Sequence, residues 1–190
     1  MSITDGNFRH GAAIILMKPY DSGVMADIGA LSVEAAVEFN YEAEKLYHEV
    51  QRHTAPGKVY IHAESGILKL KVKEVNLDEN LARYLGYQTS DITDNSGDSP
   101  KNKELYVGGL RELPYWQIDV KAPQTHAASP LYDYIHILRA VAGDKDTLSF
   151  MLDFHRKQHR EPDVVFECLS DWDHATEPGA LFSYEEEYTT

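Results

Sequence analysis

Residues 66–87 read GILKLKVKEVNLDENLARYLGY, and the change of period inside this stretch decides the fold class. Leu68, Leu70 and Val72 fall on one face and Lys69, Lys71 and Lys73 on the other, the two-residue period of a strand with one face in a core. Asn76 then stands as an N-cap, with Glu79 as its capping-box partner. Leu77, Leu81, Tyr84 and Leu85 form a helical stripe, and Gly86 supplies the left-handed stop. The spacing predicts a helix over 77–86. A helix that short is unstable alone in water, so it must lie against a sheet.

Of the 190 residues, 43% are hydrophobic, enough for one core, and no composition break divides the chain into two. No apolar run approaches membrane-spanning length, and the opening MSITDGNFRH lacks a basic region followed by an apolar one, so neither a span nor a signal peptide is expected. Cys168, alone of its kind, sits in the alternating run VVFECL and reads as a buried strand thiol. With 18 basic and 31 acidic residues the net charge is −13. Residues 161–190 carry carboxylates and no Lys or Arg. Such a chain should not adhere to nucleic acid, whose protein affinity comes largely from phosphate neutralisation.

Around the opening stretch the pattern is mostly β. AAIILMKPY ends at Pro19 and the turn DSG. In ALSVEAAVEFNY, residues Leu31, Val33, Ala35, Val37 and Phe39 share one face and Ser32, Glu34, Ala36, Glu38 and Asn40 the other. EAEKLYHEVQRH fits either a helix or a continuing strand. KVYIHA, a turn at Ser65–Gly66 and the opening strand together suggest a hairpin. Residues 88–104, rich in Asp, Asn, Ser and Gly, read as an extended loop. Six short apolar bursts follow, ELYVGGL, YWQIDVKA, LYDYIHILRAV, TLSFMLDF, DVVFECL and ALFSYEEEY. The expectation is a single domain over 1–190, an antiparallel β-sandwich or barrel flanked by one short helix, with an N-terminal arm at 1–12 and an acidic C-terminal segment at 178–190.

Catalytic patterns are weak. In HEVQRH the two histidines are five apart; on a helix that separates them by about 140°, so they cannot close on one zinc. His155 and His159 are four apart but lie among the cations of HRKQHR. Gly108 and Gly109 lack the flanking pattern of a phosphate loop, no GxSxG surrounds any serine, and Cys168 has acidic neighbours that oppose a thiolate. The expectation is a non-enzyme with no catalytic residue, cofactor or metal. The tyrosines and tryptophans sit among acids rather than arginines, which points to packing and interfaces rather than base stacking.

The order of segments resembles the tail tube (major tail) proteins of long-tailed bacteriophages. DIGALSVEAAVEF is similar to that family's opening acidic strand, and ILKLKVKEVNLDENLARYLG to its strand and short helix ending in Leu-Gly. PYWQIDVKAP, LYDYIHILRAV, TLSFMLDF and VVFECLSD with PGALFSYEEE are similar to its C-terminal strands, so the likeness covers about residues 11–187. It implies a structural virion protein that forms stacked hexameric rings, a hollow tail tube through which the genome passes into the host without specific binding. Its implied partners are other copies of itself and the tape-measure, tail-tip and tail-terminator proteins, with no membrane. The implied location is the virion tail, after synthesis in the host cytoplasm. The loop 88–104 would lie over a neighbouring subunit or ring.

Under that resemblance the acidic charge has a use, because a carboxylate-lined channel does not hold DNA as a cationic one would. Glu34 and Glu38, on the polar face of the most regular strand, are the candidates to line the lumen. Leu77, Leu81 and Leu85 are the candidates to pack the helix. The alternative is an acidic DNA mimic that inhibits a host nuclease, against which Lys69, Lys71, Lys73 and HRKQHR break the acidic field.

Overall fold

The computed structural model describes residues 13–20, 23–30, 37–48, 58–71, 81–97, 100–124, 131–144 and 163–188. The chain is mostly antiparallel β with one short helix. In order the elements are β1 Ile14–Pro19, β2 Ala26–Ala30, β3 Val37–His48, β4 Lys58–Lys71, α1 Ala82–Tyr84, β5 Thr93–Asn95 and β6 Asn102–Glu104. They continue with β7 Trp116–Pro123, β8 Tyr132–Ala142, β9 Asp163–Cys168 and β10 Phe182–Glu186. β5 and β6 pair with each other, and the rest form one sheet of order β2-β1-β7-β8-β9-β4-β3, with β10 added to β8.

That order requires curvature. β2 and β3 stand at opposite ends of the sheet yet are consecutive in the chain, joined only by residues 31–36. Flat, the two strands would be about 29 Å apart across the hydrogen-bonding direction alone, whereas the link can span at most about 25 Å. The sheet is therefore curled, with its end strands brought toward each other. Its concave side holds the core: Ile15, Met17, Ile28, Leu68, Leu70, Trp116, Ile118, Ile137, Val164 and Phe166 are almost wholly buried. The alternation seen in the opening stretch holds, since Leu68 and Leu70 are buried while Lys69 is exposed and Lys71 half-exposed.

Tyr84 of α1 bridges the interior. Its hydroxyl donates to the Ile28 carbonyl of β2 at 3.4 Å, and its ring meets Phe166 of β9 edge-on at 6.4 Å between centroids. Burial raises the Tyr84 pKa well above the ordinary phenol value. Gly86 has φ +70°, and the Gly86 N–H donates to Arg83 O at 3.0 Å while that of Tyr87 donates to Ala82 O at 2.8 Å. These two bonds are the Schellman stop expected of a glycine just past a helix end. Of the helix predicted over 77–86, the single turn at 82–84 and its stop are described; residues 72–80, and Leu77 with them, lie outside the described residues.

Two readings change. KVYIHA and the opening strand are not a hairpin but one continuous strand, β4, and the hairpin is β3 with β4, from Val37↔Leu70 to His48↔Lys58. Gly66 is thus a mid-strand residue chosen for closeness: a Cβ there would sit 3.1 Å from the Cys168 Cβ and 3.3 Å from the Phe39 ring. EAEKLYH, open between helix and strand in the sequence, is strand. The loop 88–104 carries structure of its own, a 3-10 turn at Thr89–Asp91 and the small β5–β6 hairpin.

Candidate interaction surfaces

The sheet is continuous at one level and forks at another. Across its middle Trp116 pairs Ala140, Ala140 pairs Cys168, and Cys168 pairs Gly66, a row through β7, β8, β9 and β4. Toward the Tyr132 end, β8 exchanges its neighbour β9 for β10, with Ile137↔Phe182 through Asp133↔Glu186. The switch coincides with an extra residue in β8, because Trp116↔Ala140 is followed by Ile118↔Ile137. At this bulge the Leu138 N–H donates to Leu181 O and the Arg139 carbonyl accepts from Leu169 N–H. Bulges commonly redirect a ladder in this way.

β4 does not pair with β10. Its first half, Lys58–Ser65, pairs only with the second half of β3, so among the described residues the two form a ribbon whose outer edges meet no other strand. Phe39 packs edge-on against Phe182 at 4.8 Å, a wedge between the branches, and Tyr41 meets the same ring at 5.8 Å. Glu42 and Glu44 are exposed on the ribbon. An unpaired strand edge is a template for another chain.

On the convex face a polar network ties β10 to β8 and β7. His136 Nδ1 lies 2.9 Å from Asp119 Oδ1 and its Nε2 3.3 Å from Glu185 Oε2, while its ring stacks on Tyr134 at 5.5 Å. The Tyr134 hydroxyl donates to Glu187 Oε1 at 2.9 Å and the Tyr132 N–H to Glu187 Oε2 at 2.9 Å. Two of the three carboxylates in EEE therefore hold the last strand in place.

At the end of the sheet opposite the ribbon lies a groove of about 710 Å³, walled by Pro19, Tyr20, Tyr87, Arg111, Pro114 and Tyr115. The register settles which end this is. From the middle row, β1, β7 and β8 run to Pro19, Trp116 and Ala142 on the groove side, whereas the ribbon lies toward Tyr132. Tyr20 donates its hydroxyl to Asp171 Oδ1 at 2.6 Å, and that bond, with burial and the charge of Asp171 behind it, pushes the Tyr20 pKa up to about 12. Beside the groove the segment 105–110 exposes Tyr106, Val107 and Leu110 around the positive-φ pair Gly108 and Gly109.

Of the residues singled out by sequence, Glu34 and Leu77 lie outside the described residues, and Glu38 stands in β3 opposite Lys69. Leu81 and Leu85 flank α1 half-buried, while Ala82 and Tyr84 are its buried side chains. Cys168 is buried, and desolvation raises its thiol pKa to about 12, which leaves it inert. Among the described residues no group of three or more His, Cys, Asp or Glu is placed to hold a metal ion. Sequence reasoning missed the groove, whose lining comes from three separate segments, 19–20, 86–91 and 111–115; the dense ELPYW run, which ends on Trp116, was the only local signal.

No protein-family model matches the chain, and no curated protein does. Among solved structures it is similar to a chain of the anti-feeding prophage baseplate, determined by cryo-EM with 6-fold symmetry imposed. The overlap has a TM-score of 0.38 at 10% identity, over 97% of this chain and 94% of that one. An overlap of that degree fixes neither a shared topology nor a shared role.

Proposed function

We propose that the chain is a structural protein of a phage-tail-type particle, and specifically the subunit of its tube, six copies closing into a ring and rings stacking into a conduit for the genome. The observation that carries this reading is the forked sheet, which leaves the β3–β4 ribbon with both outer edges unpaired among the described residues. A monomer of this kind is an aggregation hazard unless its edges are blunted or paired, and cyclic closure pairs them without runaway growth. The segment resemblance to tail tube proteins supports the same assignment.

The charge of −13 suits a conduit that must not retain DNA. Glu34 and Glu38 remain the proposed lumen residues. Lys69 opposes Glu38 in register, so the acidic wall requires Glu34 as well. Negative-stain microscopy of the purified full chain tests the reading. Six-fold rings or tubes are the expected outcome, and discrete monomers at every concentration would overturn it.

A further inference from the structure

The groove at the closed end of the sheet is walled by rings. Its lining comes from residues 19–20, 86–91 and 111–115, and apart from Pro19 at the end of β1 none of these residues lies in a strand. The walls therefore offer no ladder to an incoming β-strand, and recognition falls to side-chain surfaces. Tyr87 is almost buried, with Arg111 lying flat on it at 3.7 Å. The rings of the lining that keep accessible surface are Pro19, Tyr20, Pro114 and Tyr115, of which Tyr115 is 40% exposed.

These rings are fixed before anything binds. Tyr20 donates its hydroxyl to Asp171 at 2.6 Å. The Arg139 guanidinium lies 4.0 Å from the centre of the Tyr115 ring and 5.0 Å from that of Tyr20, holding the two tyrosines at one spacing. The Tyr87 hydroxyl accepts from the Gly108 N–H at 2.7 Å. Side chains held in this way lose little rotamer freedom on binding.

Charge narrows the ligand. Among the described residues three charged side chains line the groove, Asp91, Arg111 and Glu112. Arg111 is already committed, its guanidinium stacked on Tyr87 and its Nη2 donating to the Leu85 carbonyl at 2.7 Å. Asp91 and Glu112 are exposed, so the groove favours a cationic ligand and opposes an anionic one. A polyproline II segment suits walls of this kind. It needs no ladder, its conformation is set in advance, and its prolines pack on aromatic rings. We propose that the groove binds a proline-rich segment of another protein, with prolines against Tyr20, Pro114 and Tyr115 and a flanking Lys or Arg near Asp91 and Glu112. This partner lies beyond the tube reading and does not depend on it.

The test is a titration of the full chain with a fluorescent hexaproline peptide carrying an arginine at each end, followed by anisotropy. The wild-type chain should bind it, and should bind at least tenfold more weakly when glutamates replace the arginines or alanines replace the prolines. Tyr115→Ala should weaken binding about tenfold and Glu112→Lys about fivefold. Glu112 is exposed, so its variant reports even where Tyr115→Ala lowers the melting temperature. No binding of the arginine-ended peptide at about 1 mM, equal binding of the alanine or glutamate peptide, or unchanged affinity in Glu112→Lys would overturn the proposal. Self-association lost in Glu112→Lys, by a chain that binds no peptide, would overturn it too and would give the groove to a contact between copies.

Discussion

The two ends of the sheet are built on opposite plans. Near the row Trp116–Ala140–Cys168–Gly66 and on toward the groove, strands pair on both sides and buried side chains fill the concave face. Toward Tyr132 the sheet divides, β10 taking β8 while β4 and β3 run on as a ribbon. The first plan gives stability, and the second leaves ladder hydrogen-bonding groups that meet no further strand among the described residues and are open to water or to another chain. Under the proposed assembly, folding and association fall to different parts of one sheet, and mutations should separate them.

The largest effect should come from emptying the closed part. Phe166→Ala removes a fully buried ring that also meets Tyr84, and should cost about 3–5 kcal/mol in denaturant unfolding. Gly66→Ala places a methyl group 3.1 Å from the Cys168 Cβ, at the point where closed sheet becomes ribbon. It should cost about 1–3 kcal/mol, and a neutral result would show that the fork is loosely packed.

Smaller again, Tyr20→Phe deletes the hydrogen bond to Asp171 and should cost about 1 kcal/mol near neutral pH. Because the Tyr20 pKa rises from 10.0 to about 12, this contribution is fully present below pH 10.0 and is lost as pH climbs toward 12. Tyrosinate absorbance during an alkaline titration should accordingly lose a component near pH 12 in the variant. Least of all, Glu42→Gln with Glu44→Gln should leave unfolding within about 0.5 kcal/mol of wild type, as exposed ribbon positions do. A larger loss there would mean that the ribbon belongs to the folding core after all.

How much of this was legible beforehand depended on the range of the interaction. The alternation in ILKLK, the stop at Gly86 and the inert setting of Cys168 are local, and each can be read from a few neighbours. The hairpin was misplaced because Ser65–Gly66 resembles a turn, whereas Gly66 answers to Cys168, brought beside it by a pairing more than a hundred positions away. EAEKLYH carries both periods, and pairing with β4 decides between them. The groove needs three separated segments at once, so no window of sequence contains it.

The bulge at Leu138–Arg139 has a mechanical consequence. Because β10 and β4 share no ladder bonds, the ribbon is coupled to β8, among the described residues, mainly through the Gly66–Lys71 pairing with β9 and the contacts of Phe39 and Tyr41 with Phe182. The extra residue acts as an expansion joint. In the proposed assembly the ribbon would be the part that adjusts its angle to a neighbour while the concave core keeps its shape.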